Sequence, residues 1–149
     1  MAGDSCRPRG SRVDDKPFEV AALEDWLTEC GFESRAVESG SFGDRLTEFT
    51  RGDVAVRTVR DRGKWAFDIA LPRLTPWYDI GIWASHLADA KASFDLPPVA
   101  AQVDFLKRHL GEIEASASEG SGLASDLSKR AWERARARFH LPPNFPAPK

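Results

Sequence analysis

Between Phe18 and Cys30 the apolar residues fall at Val20, Leu23, Trp26 and Leu27, with Cys30 closing the series, while Glu19, Glu24, Asp25 and Glu29 take the other faces. That spacing predicts an amphipathic helix over about 18–30, and Gly31 stands where such a helix ends. The period then shortens to two. Phe32 to Glu38 reads as a short strand ended by Ser39-Gly40-Ser41. Arg45 to Thr50 and Val54 to Val59 read as two more, joined by Arg51-Gly52-Asp53, a short glycine-containing hairpin connection. Alternation is cleanest from Trp65 to Leu71, where Trp65, Phe67, Ile69 and Leu71 interleave with Ala66, Asp68 and Ala70. Asp61-Arg62-Gly63 supplies the preceding turn. Together these segments predict an antiparallel meander of three or four strands.

Beyond Pro72 the helical period returns. Trp77, Ile80, Trp83, Ala84 and Leu87 fit one amphipathic helix that fades near Lys91, and Pro97-Pro98 opens another, with proline tolerated in a first turn. In that helix Val99, Val103, Leu106, Leu110 and Ile113 make the narrow seam of helix pairing. Ser116 to Gly122 is a small-residue turn. After it Leu123, Leu127, Ala131, Ala135 and Phe139 recur every four residues beside Trp132, so the last two helices should form a hairpin packed on itself or on the sheet. The expected fold is α+β: a helix, the meander, then three helices ending in a helical hairpin. Residues 1–16, rich in Gly, Ser, Arg and Asp, read as a disordered leader, 17–141 as a single domain, and 142–149 as a stiff proline-rich tail.

Composition narrows the class. A chain of 149 residues with 42% apolar and 30% charged side chains suits one globular domain. Its 21 basic and 23 acidic residues give a net charge of -2, so bulk electrostatics favours neither nucleic acid nor an anionic membrane. Cys6 and Cys30 form no metal-binding pattern and read as free thiols in a reducing cytosol. No stretch has the apolar run of a signal peptide or a membrane span, so a cytoplasmic protein is expected.

Catalytic patterns are sparse. His86, His109 and His140 stand on or at the end of predicted helices and match no metal motif, and no nucleophile elbow, P-loop or dinucleotide fingerprint occurs. No metal, cofactor or catalytic residue is therefore expected. An enzyme using Asp61, Asp68 or Asp79 as general acid or base has no pairing in the sequence to support it. Gly40-Ser41-Phe42-Gly43 lacks the lysine of a phosphate loop and reads as a turn. Arg51-Gly52-Asp53 matches an integrin-binding tripeptide, but a hairpin turn explains it without an extracellular role.

Three surfaces could bind a partner. The first helix presents Glu24, Asp25 and Glu29 with no basic residue between Glu19 and Glu33, a match for a basic surface. Arg60, Asp61, Arg62 and Trp65 crowd one hairpin end, and Trp77, Tyr78 and Asp79 add the amphipathic aromatics common at interface hot spots. On the last helix Arg130, Arg134 and Arg138 repeat every four residues, and Asp126 to Arg138 holds five basic against two acidic side chains. That stripe supports the alternative expectation, a nucleic-acid or regulatory binder.

The run Ser41-Phe42-Gly43-Asp44, Glu48-Phe49, Val56 to Trp65 and Asp68-Ile69-Ala70 resembles a loose group of small actinobacterial proteins, some of which look like immunity proteins of polymorphic toxin systems. The likeness covers about residues 17–90 and rests mainly on Asp-Arg-Gly between two strands. It implies a cytosolic, non-catalytic protein that binds and blocks a cognate toxin, and it names neither the toxin nor the contact residues.

Overall fold

The computed structural model describes residues 16–37, 45–61, 63–93 and 95–139. The leader up to residue 15, the Ser39-Gly40-Ser41 loop with Phe42 and Gly43, Arg62, His140 and the proline-rich tail lie outside them, as do the side chains of Arg45, Asp61 and Ser121. In chain order the elements are helix α1 (Phe18–Glu29), strands β1 (Glu33–Val37), β2 (Arg45–Arg51), β3 (Val54–Asp61), β4 (Lys64–Ala70) and β5 (Tyr78–Asp79), and helices α2 (Ile80–Ala88), α3 (Val99–Ala115) and α4 (Ser121–Arg138). A short 3-10 turn, Ser116–Glu119, joins the last two helices.

The sheet is antiparallel with the strictly sequential order β1-β2-β3-β4-β5. This is the expected α+β arrangement with five strands rather than three or four. The additional strand is Tyr78–Asp79, which the helical spacing from Trp77 had absorbed into the following helix. Its two residues pair with Ile69 and Asp68, and Asp79 then caps α2 by accepting a 3.1 Å hydrogen bond from the Ile82 amide. Two-residue loops set the register of both inner hairpins, Arg51 facing Val54 and Asp61 facing Lys64. Gly52 carries φ +57° at the first loop position, which a side chain with a Cβ rarely adopts.

Alternation sends Phe49, Val56, Phe67 and Ile69 to one face, where they form a single core with Leu23 and Leu27 of α1, Ile82 and Trp83 of α2, Leu106 and Ile113 of α3, and Leu123 and Leu127 of α4. Burying side chains of this size stabilises the fold by about 1.5–3 kcal/mol each. Helix α3 packs chiefly on α1 and α4 chiefly on α2. Phe139, placed by its spacing on the apolar stripe of α4, is instead 67% exposed at the helix's C-cap.

Polar groups inside the core are satisfied. The Trp83 indole donates to the Ile69 carbonyl at 3.0 Å. Gln102, 2% exposed, donates to the Pro97 carbonyl and accepts from the Phe67 amide. Thr58 donates to Glu24 at 2.9 Å. Among the described residues no buried side-chain nitrogen or oxygen lacks a partner, and no helix is long and apolar enough to cross a membrane.

Candidate functional site

Residues in register share a face, so pairing carries charge across the sheet. Arg35, Glu48, Arg57, Asp68 and Asp79 are successive partners on five strands, on the face opposite the core. Arg35 donates to Glu48 at 3.0 Å and Arg57 to Asp68 at 2.9 Å. The Arg57 guanidinium also sits 4.6 Å from the centre of the Trp77 ring, a cation–π stack. Asp68 and Asp79 are like charges directly opposite, an arrangement that costs energy unless cations flank it. Arg57 flanks one side. Arg134 flanks the other, donating to both oxygens of Asp79 at 3.1 and 2.6 Å. Burial pushes the Asp68 carboxyl above its ordinary value against the pull of Arg57, and the Asp79 charge adds to the rise.

Two arginines of α4, Arg130 and Arg134, hold α2. Arg130 donates to Asp126 at 2.6 Å, to Asp89 at 2.7 Å, to the Ser85 hydroxyl at 3.0 Å and to the Ala90 carbonyl at 3.1 Å. Asp89 is the C-cap of α2 in the left-handed conformation, φ +52°, so Arg130 secures one end of that helix while Arg134, through Asp79, secures the other. His86 donates from Nδ1 to Asp126 at 2.6 Å and lies 3.4 Å from Glu119. Burial alone would raise the Asp126 carboxyl, but the hydrogen bonds from Arg130 and His86 outweigh it and hold it below its ordinary value. Gly81 leaves room beside this contact: a Cβ there would lie 3.0 Å from the guanidinium and 3.1 Å from Asp79, so one of them would have to shift by a few tenths of an ångström.

A cavity of about 730 Å³ opens beside this clasp, bounded by the β3–β4 hairpin end, the first turn of α3 and the last turns of α4. Lys64, Trp65, Asp79, Arg134 and Arg138 line it, so it unites residues from two of the three sequence surfaces, the hairpin end with Asp79 and the last helix. Arg60 faces Trp65 across the strands. Arg60 and Lys64 have no ion pair among the described residues, whereas Arg138 has a partner of its own.

The remaining predicted residues separate. Glu24 is half-buried and committed to Lys16, at 2.6 Å, and to Thr58. Tyr78 packs against the core. Asp61 ends β3, and Arg62 is outside the described residues. Asp25 and Glu29 are exposed. With Phe18 and Ala22 they lie on one helical stripe, at i, i+4, i+7 and i+11, and Phe18 is 82% exposed. Glu19, Asp25, Glu29 and the exposed Glu33 have no side-chain partner among the described residues. Arg51 of the Arg-Gly-Asp tripeptide lies 4.6 Å from the Phe32 ring centre and donates to the Cys30 carbonyl and Glu114, both at 2.7 Å, so the fold uses it as a staple.

Sequence reasoning missed the charge row, Gly81 and the Asp126–His86 pair. The row was within reach, because two-residue hairpin loops fix which residues face each other. The isolated glycine inside a helix was also a signal of close approach. Among the described residues no group of three or more potential metal ligands gathers. Comparison with family models, with curated proteins and with solved structures finds no match.

Proposed function

We propose that this is a non-enzymatic protein-binding domain of the immunity type, acting in the cytosol, whose α1 face docks on a basic surface of a cognate toxin. The observation that carries this reading is the stripe of Phe18, Asp25 and Glu29, with Glu19 and Glu33 beside it: unpaired carboxylates around an exposed aromatic, on a molecule whose other carboxylates are largely engaged. An exposed Phe is an anchor for an apolar pocket, and unpaired acids steer a cationic partner and set orientation. The absence of catalysis is supported by the same economy. Asp68 and Asp79 meet but are held by Arg57 and Arg134. Ser85, beside His86 in sequence, donates its hydroxyl to the Ala90 carbonyl and accepts from Arg130, so it is not paired with His86 as nucleophile with base.

The test is affinity capture with the product of the neighbouring gene, together with rescue of cells that express it. A tight complex is expected, weakening with salt and losing at least about a hundredfold in affinity when Glu19, Asp25 and Glu29 are all changed to Lys. No complex and no rescue, or a triple variant that binds like the parent, would end the reading.

A further inference from the structure

We propose that His86 is a proton-operated latch between α2 and the Ser116–Glu119 turn that joins α3 to α4, open when the imidazole is neutral and closed when it is charged. The side chain is 12% exposed and stands between two carboxylates. Nδ1 lies 2.6 Å from one oxygen of Asp126, and Nε2 lies 3.4 Å from both oxygens of Glu119. The first distance is that of a made hydrogen bond, and the second lies beyond the usual range. The Asp126 carboxyl is held below its ordinary value, so near neutral pH it is ionised and can only accept. Nδ1 therefore carries the proton. In the neutral ring Nε2 then holds a lone pair, aimed at carboxylate oxygens that also only accept, and the contact is repulsive. Histidine is the side chain that changes charge near neutral pH. A second proton makes Nε2 a donor and turns the same contact into a charge-assisted hydrogen bond, normally about 2.7–2.9 Å long.

The surrounding charges favour that second proton. Asp126 and Glu119 face the ring, Asp89 ends its own helix, and Arg130, the cation beside them, is divided between Asp126 and Asp89. Neutral His86 thus leaves these three carboxylates against one guanidinium. The carboxylates that β4 and β5 bring to α2, Asp68 and Asp79, are held by Arg57 and Arg134 at the helix's other end. Trp83 meets the imidazole edge-on, and α3 sends it no ion pair among the described residues.

The latch uses no residue of the acidic α1 face, so it stands or falls independently of the partner reading. NMR on the full chain at about pH 8 and about pH 5.5 tests it. In the neutral ring the imidazole nitrogen shifts should place the proton on Nδ1. Hydrogen-exchange protection of the Ala117 to Gly120 amides, scaled to the unstructured rate at each pH, should be about two- to fivefold higher in acid. Glu119→Gln should abolish that difference by raising protection at the higher pH, because its amide donates to the neutral ring or, turned over, accepts from the charged one. His109→Gln, which removes the histidine that pairs with Glu112 on α3, should leave the difference intact. Both substitutions fall on side chains at least a third exposed, and unchanged spectra away from the sites confirm that the variants fold. A neutral ring protonated on Nε2, equal protection at both pH values, or a difference that survives Glu119→Gln or vanishes with His109→Gln would overturn the latch.

Discussion

Gly81 shows how one residue's missing side chain can decide a contact between two helices. By helix propensity alone, Gly81→Ala should stabilise α2 by about 0.5–1 kcal/mol. The space is taken, however: a Cβ would lie 3.0 Å from the Arg134 guanidinium and 3.1 Å from Asp79, inside the range where a neighbour must give way. Displacing a bidentate arginine from a carboxylate that also caps α2 should cost about 1–3 kcal/mol, more than the propensity gain. Gly81→Ala is therefore expected to lower the melting temperature by several degrees in the parent. With Arg134 already truncated to Ala the same change should raise it. A double-mutant cycle by thermal unfolding checks the sign. A gain in both backgrounds would show that the glycine has no such role.

Among the elements, α2 is the one most dependent on others. It has nine residues, too few for a helix to persist alone in water, and its buried face and both its ends are supplied by neighbours. Arg134 holds its start through Asp79, and Arg130, Asp126 and His86 hold its end. The pH dependence of this clasp follows from Asp126, whose folded pKa lies below its ordinary value. A depressed carboxyl stabilises the fold above its unfolded pKa, and that contribution is lost as pH falls through the folded value. Asp126→Asn should therefore cost about 1–3 kcal/mol at pH 7, and the gap between parent and variant should close on acidification below the ordinary carboxyl range. Denaturant titrations at pH 7 and in acid measure it. A gap that stays constant or widens in acid would contradict the assignment. The clasp also explains why Arg130 and Arg134 misled at the level of sequence. A four-residue repeat of arginines looks alike whether it faces phosphate or carboxylate, and only the fold shows that Asp89 and Asp79 meet it.

At the scale of the molecule, what was legible in the sequence was whatever depends on near neighbours. Period two and period 3.6 located the helix–meander–helix order, because both arise from how each residue's side chain points relative to the next. Tyr78–Asp79 was not legible, since two residues carry no period and their pairing with Asp68 and Ile69 is decided by β4. The acidic α1 face was readable as charge, yet Glu24 could not be separated from Asp25 and Glu29 until Thr58 and Lys16 were brought to it from elsewhere in the chain. Phe139 failed for a related reason: periodicity extends a stripe past the point where the core ends.

The sequential strand order has one more consequence. It leaves β1 at the end of the sheet, paired with β2 on one side and with no described strand on the other. Its residues Glu33 to Ala36 are all exposed, so little apolar burial protects that row of backbone groups. A bare edge invites a second copy to add its own edge strand, the first step of fibrillar association, and charges are what keep it apart. Glu33 and the 75% exposed Arg35 are those charges here. Replacing both with Thr should leave the monomer's unfolding nearly unchanged while turning its light scattering steeply dependent on protein concentration. Scattering that stays flat would mean the edge is guarded by something other than its charge.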